Sequence, residues 1–126
     1  MKRVLVALLL AASVSGAHAE LPSASEADVT RALASGRPTL VDLGAGSCAS
    51  CKQMAPILEE LAATYRDRAN VLFVDVREDA AAGKRFRIQM IPTQIFYDAR
   101  GREVSRHVGF LERADLVKGL QGAGLE

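Results

Sequence analysis

Short, continuous apolar runs alternate along this chain with segments in which apolar residues recur at helical spacing. The runs Thr39–Leu43, Val71–Val76 and Thr93–Tyr97 have the continuous apolar character of strands inside a sheet. A fourth strand, Glu103–Val108, follows a hairpin turn at Ala99–Gly101. Strands that alternate with helices imply parallel pairing, whereas two strands joined by a tight turn pair antiparallel. The pattern therefore predicts an α/β fold with a central mixed four-stranded sheet and helices on both faces.

Four helices are predicted around these strands. The first, Ser23–Ser35, has serine caps and early acidic residues and stops before a Gly-Arg-Pro sequence. A long helix begins at Ala49, and Pro56 inside it should bend the axis because proline lacks the backbone N–H. A short helix covers Asp79–Phe86 and a last one Glu112–Leu120. One apolar face of the last helix is expected to carry Leu111, Ala114, Val117 and Leu120.

The first nineteen residues have the pattern of a secretory signal peptide. Lys2 and Arg3 form a positive start, an apolar run follows, and Ala17-His18-Ala19 fits the cleavage site. The run is far shorter than the roughly 20 residues of a membrane-spanning helix. We therefore expect cleavage after Ala19, a periplasmic protein, and one domain over residues 20–126. The alternatives are a retained short anchor and a buried first helix.

The charge balance of the expected mature chain excludes several kinds of partner. Removing Lys2 and Arg3 from the sixteen basic residues leaves fourteen, against fifteen acidic residues, so the net charge is near zero. No basic stripe with interleaved aromatic residues is present, and neither nucleic acid nor an anionic membrane surface is indicated. The little over one hundred residues that remain suffice for one core, and we expect a monomer.

Both cysteines lie in one C-x-x-C sequence, Cys48 and Cys51. A disulfide across so small a ring removes only about 2 kcal/mol of unfolded-state entropy, so it is a poor structural staple. Cys48 falls at the start of the long helix, where free N–H groups and the helix dipole favour a thiolate, and it is the predicted nucleophile. Cys51 lies one turn further, on the apolar face of Met54 and Leu58, and is the predicted resolving thiol. The alternative is an inert structural cystine.

Three polar residues near these cysteines or strands are candidates for a role. Asp42 interrupts an apolar strand, and burial there should raise its pKa. Its alternative role is a cap or a salt bridge at the strand end. Lys52 directly follows Cys51 and either adds positive potential or is simply solvated. His107, at the end of a predicted strand, is interpreted as a surface or edge residue.

Several separated segments, in this order, resemble the thioredoxin family over about Ser25–Gly119. They are Leu40-Val41-Asp42, Cys48-Ala49-Ser50-Cys51-Lys52, the in-helix Pro56, Ile91-Pro92-Thr93, Asp98–Gly101 and Val108-Gly109. The resemblance implies a thioredoxin-like domain and places Asp42 behind the resolving cysteine, where it helps to move a proton. It also implies a cis bond at Pro92 and a substrate groove.

In that implied groove an extended substrate segment pairs with the backbone of Ile91, beside Pro92 and Thr93, while Gly109 leaves room for it. The alternative role of Gly109 is that of a turn glycine. Met90 either lines the groove or packs in the core. The chain departs from the family pattern where Gly44 and Ser47 replace aromatic residues and Ala49-Ser50 replaces Gly-Pro. Ala49, Ser50 and Lys52 are therefore expected to tune the redox potential.

The exported family members that look similar are small reductases fed by a membrane thiol transporter of the DsbD or CcdA type. The resemblance therefore implies a reductase of protein disulfides that uses its Cys48/Cys51 couple and no cofactor. Two alternatives stay open: a soft-metal protein that holds Cu(I) with Met90 or His107 added to the cysteines, and a non-catalytic binding module. Covalent haem attachment is excluded, because Lys52 occupies the position where C-x-x-C-H requires histidine.

Overall fold

The computed structural model describes residues 20–126, so the predicted signal peptide lies outside the described residues. Within this range no helix is both long and apolar enough to cross a lipid bilayer. The elements, in chain order, are α1 Glu26–Leu33, β1 Thr39–Gly44, α2 Ala49–Thr64, β2 Asn70–Asp75, α3 Ala82–Arg85, β3 Thr93–Tyr97, β4 Glu103–Val108 and α4 Arg113–Gly122.

The four strands form one mixed sheet in the order β2-β1-β3-β4, which confirms the predicted fold class. β1 pairs parallel with β2, and β3 pairs antiparallel with both β1 and β4. The parallel pairing implied by helix–strand alternation is therefore wrong for β3. The four residues of α3 span only about 6 Å. A six-residue strand is about 20 Å long, so this helix does not span the sheet, and β3 starts at the same edge at which β2 ends.

The helices differ from their predicted extents mainly at their ends. The α1 helix starts later than predicted, because Ser25 is its N-cap and forms a capping box with Asp28. The α3 helix keeps only four of its eight predicted residues. In α4 the buried residues are Leu116 and Leu120, whereas Ala114 is exposed, so the predicted apolar face is wrong at that position. The face that α4 turns to the core is therefore rotated slightly from the predicted face.

Two apolar clusters cover the two faces of the sheet. On one face Leu40 of β1 packs with residues of α2 and α4, including Met54, Leu61 and Leu116. On the other face Val41 and Leu43 pack with Val29 of α1 and Ala82 of α3. Because successive residues of a strand point to opposite faces, Asp42 lies on the same face as Leu40, toward α2. The sheet therefore places a carboxyl group inside its apolar layer.

Candidate active site

The predicted site residues meet at one edge of the sheet. β1 ends there, and its last residue, Gly44, accepts a 2.9 Å hydrogen bond from the N–H of Val76, just past β2. Thr93, the first residue of β3, pairs with Leu43 on one side and with Val108 on the other. The turn that leads from Gly44 to Cys48, the segment before Thr93 and the end of β4 therefore lie together.

The peptide bond between Ile91 and Pro92 is cis, as predicted. Pro92 and Thr93 are buried, Ile91 is half-buried and Met90 is 65% exposed, which excludes a core position for Met90. The N–H of Gly109 donates a 2.8 Å hydrogen bond to the carbonyl oxygen of Pro92. Gly109 has a φ of +105°, so its turn conformation requires glycine in addition to any role in a groove. That these residues bind substrate stays a prediction.

Cys48 is the N-cap of α2, and its Sγ accepts a 3.3 Å hydrogen bond from the N–H of Cys51. Both cysteines are free thiols, and Cys48 is the more accessible of the two. Burial alone would raise the pKa of Cys48. Hydrogen bonds from the Cys51 thiol and from the N–H groups of Cys51 and Ser50, together with the charge of Arg77, outweigh burial and hold the pKa below 9.0. The structure thus favours a thiolate at Cys48.

A carboxylate and a guanidinium from the end of β2 hold the turn before Cys48. Asp75 accepts a 3.1 Å hydrogen bond from the N–H of Gly46, and its other oxygen accepts from the N–H of Arg77 at 2.8 Å. The Arg77 guanidinium donates a hydrogen bond to the hydroxyl of Ser47. Arg77 is therefore held beside the Cys48 turn, where its positive charge favours the Cys48 thiolate. Lys52 is exposed on α2, and its tuning role stays a prediction.

Cys51 is only 5% exposed and lies against Gly44. Burial raises the pKa of its thiol from 9.0 to about 12, and the hydrogen bond to Cys48 and the negative charges of Cys48 and Asp42 add to this effect. A Cβ at position 44 would stand 2.9 Å from the Cys51 sulfur, so glycine leaves the space that this thiol occupies. A small cavity lined by Ala45, Ala55 and Phe73 reaches the same cysteine.

Asp42 is fully buried, and its Oδ1 accepts a 2.9 Å hydrogen bond from the side-chain amide of Gln94. Burial raises its pKa from 3.8 to about 6, although the bond from Gln94 acts in the opposite direction. The raised pKa confirms the expectation from the sequence. The alternative role, a cap or a salt bridge at the strand end, is wrong, because the partner of Asp42 is an uncharged amide on the neighbouring strand.

Three residues of this site were missed by the sequence analysis. Gln94 interrupts an apolar strand just as Asp42 does, so the same signal was available for it. Asp75 likewise interrupts the apolar run Val71–Val76, so that signal was available for it too, whereas Arg77 carries no local signal. They reach the Cys48 turn because parallel strands β1 and β2 end at the same edge of the sheet.

The remaining candidates lie in the first turn of α2 and on β4, and the tuning role of Ala49 and Ser50 stays a prediction. Ala49 is exposed and Ser50 half-buried in the first turn of α2. His107 is exposed on β4, opposite Gln94. In the part of the chain that the structure describes, no three histidine, cysteine or acidic side chains group in a way that suits a metal ion.

Comparisons with known proteins agree with this geometry. The family model for thioredoxin matches residues 21–122. A thioredoxin of Staphylococcus saprophyticus is 40% identical over 79 residues, which is 63% of this chain and 75% of that protein. A thioredoxin of Staphylococcus aureus is 39% identical over the same coverage. A solved structure of a mutant thioredoxin from Halobacterium salinarum superposes with a TM-score of 0.72, covering 82% of this chain and 88% of its own, at 23% identity.

Proposed function

We propose that this chain, which belongs to the thioredoxin family, is an exported reductase of protein disulfides, fed by a membrane thiol donor of the DsbD or CcdA type. As a thioredoxin-type thiol-disulfide oxidoreductase it acts on protein disulfides through its own cysteine pair and uses no cofactor. The direction of the reaction, the location and the donor are the proposed parts.

The observation that carries the mechanism is the opposite perturbation of two thiols one helical turn apart. The pKa of Cys48 is lowered and that of Cys51 is raised to about 12. The Cys48 thiolate attacks a substrate disulfide, forms a mixed disulfide and releases one substrate cysteine as a thiolate. Cys51 then loses its proton to the Asp42 carboxylate and attacks the Cys48 sulfur. The second substrate thiolate leaves, so two electrons pass to the substrate and Cys48–Cys51 becomes a disulfide.

Reduction is supported by the groups that surround the Cys48 thiolate. A strongly oxidising couple requires a strongly stabilised reduced form. Around Cys48, burial opposes the hydrogen bonds and the charge of Arg77, and Ala49-Ser50 places no histidine between the cysteines. We therefore expect a potential near the thioredoxin value of about −270 mV.

Equilibration of the purified protein with glutathione, read as the fraction of thiols that resist alkylation, measures this potential. A potential more positive than about −180 mV would contradict the reductase assignment. Cys48→Ser and Cys51→Ser are the matched controls, since neither can form the internal disulfide.

Export is supported by the basic, apolar and small-residue pattern of residues 1–19. Expression of the full chain in a bacterium with two membranes should yield a periplasmic protein whose mass is that of a chain beginning at Glu20. A cytoplasmic product that keeps Met1 would contradict export.

The donor is tested with Cys51→Ser, which stalls the mixed disulfide on Cys48. A covalent complex with a membrane protein that carries paired cysteines is the expected product. Recovery of soluble substrates alone would contradict the proposed donor.

A further inference from the structure

Asp42 and Gln94 form a polar pair inside the apolar layer between the sheet and α2. They are opposite one another on β1 and β3, and both are fully buried. The Gln94 amide nitrogen lies 2.9 Å from Asp42 Oδ1 and 3.1 Å from the sulfur of Met54 on α2. One amide group therefore bridges the carboxyl group and the helix that carries the two cysteines.

Among the described residues, no charged side chain pairs with Asp42, and the exposed His107, opposite Gln94 on β4, lies one strand further away. On β2 its neighbour is Phe73, and on β3 it is Gln94, neither of which ionises. From α2 the titratable group is Cys51, whose pKa responds to the charge of Asp42. α4 contributes the apolar residues Leu116 and Leu120 to this face. The Gln94 amide is consequently the donor on which the Asp42 carboxylate depends.

Two buried atoms of the pair, Asp42 Oδ2 and Gln94 Oε1, have no hydrogen-bond partner among the residues that the structure describes. A buried polar atom without a partner costs stability, so an apolar residue at position 94 would serve the core better if packing were its only task. The arrangement instead leaves Oδ1 engaged and Oδ2 available. An available carboxylate oxygen in an apolar layer, close enough to a buried thiol for its charge to act on it, is suited to receive a proton.

We propose that Gln94 is a positioning residue for the resolving step, which holds Asp42 by Oδ1 and leaves Oδ2 as the atom that exchanges a proton with Cys51. The inference rests on the proposed role of Asp42 in the mechanism. When the Cys51 proton moves to Oδ2, the Cys51 thiolate breaks the mixed disulfide at Cys48 and the partner's sulfur leaves as a thiolate. Gln94 gains and loses no atoms; by donating to Oδ1 it favours the ionised carboxylate that must be present before each transfer.

The test replaces Gln94 by methionine, which matches its length and unbranched shape but donates no hydrogen bond. Reduced protein is mixed with 5,5′-dithiobis(2-nitrobenzoate) in a stopped-flow spectrometer. The first thionitrobenzoate released reports attack by Cys48, and the second reports resolution by Cys51. Both rates are measured from about pH 5 to pH 9.

In the wild-type protein the second rate should rise through the pKa of Asp42, about 6. In Gln94→Met that rise should move about one pH unit higher, because the carboxylate has lost its donor, which makes resolution about fivefold slower near pH 6 and about tenfold slower near pH 5. Near pH 9 the second rate should change little, and the first rate should keep its pH profile. Gln53→Met removes an exposed amide from α2 and should change neither rate.

If the second phase is slower at every pH while the pH at which its rate rises is unchanged, the role of Gln94 is merely structural and the proposal is overturned. The same would follow if Gln94→Met still moved the rise in an Asp42→Asn background. If Gln94→Met fails to fold, Gln94→Glu replaces it. Two carboxyl groups in contact share one proton, so the rise should again move upward, and an unmoved rise would overturn the proposal. The glutathione equilibrium tests the reductase assignment independently of all these outcomes.

Discussion

Replacing Asp42 by asparagine should stabilise the protein at neutral pH and remove much of its pH dependence between about pH 4 and pH 7. Burial raises the pKa of Asp42 from 3.8 to about 6. Because the folded state holds this proton more tightly than the unfolded state, stability falls as the pH rises through this window. At about 1.4 kcal/mol for each unit of pKa difference, ionised Asp42 costs about 3 kcal/mol above pH 7. Below about pH 4 it costs nothing.

Asparagine has nearly the same shape, carries no charge and brings an amide N–H₂ group that can donate to the unpartnered Oε1 of Gln94. Urea unfolding of the reduced protein should therefore place Asp42→Asn about 3 kcal/mol above the wild type at about pH 7.5 and close to it at about pH 4. The reasoning is refuted if the variant is less stable at pH 7.5, or if the difference between the two proteins is the same at both pH values.

Asp75→Asn is the matched control, and its expected effect on stability at neutral pH has the opposite sign. Burial alone would raise the pKa of Asp75, but hydrogen bonds from the N–H groups of Arg77, Gly46 and Glu78 outweigh it and hold the pKa below 3.8. Asp75 therefore stabilises the folded state at neutral pH, and this contribution is lost as the pH falls toward its folded pKa. Asp75→Asn should destabilise the protein by about 1–3 kcal/mol at pH 7.5 and by less in acid.

Two further substitutions test the surroundings of the cysteines. Arg77→Gln should slow iodoacetamide alkylation of Cys48 by about two- to threefold near pH 6.5 in low salt, with a smaller difference in about 1 M salt, because the charge that favours the thiolate is lost. Lys52→Gln is the control, and an equal effect of both variants would contradict the assignment to Arg77. Gly44→Ala should cost about 1–3 kcal/mol in urea unfolding and slow resolution by Cys51, since the added Cβ would stand 2.9 Å from the Cys51 sulfur. An unchanged resolution rate would show that this contact is unimportant.

Local patterns predicted much of the fold and part of the site. The predicted bounds of β3 and β4 match the observed bounds residue for residue, because β3 is a continuous apolar run and a hairpin turn separates the two strands. Asp42 was identified because one acidic residue in an apolar strand is a local anomaly. The predictions for the direction of β3 and for the burial of Ala114 were wrong. The first depends on where the connection between β2 and β3 returns to the sheet, and the second on how α4 docks on the sheet.

By itself the sequence determined the strands, the order of the helices, the placement of the two cysteines at a helix start and the burial of one carboxyl group. These features depend on residue type and on spacing along a single element. Only the tertiary structure decided that Gln94 holds Asp42 and that the charge of Arg77 acts on Cys48. Each of these pairs joins separate segments, and the contact exists only because the sheet brings the segments within hydrogen-bond or Coulomb distance.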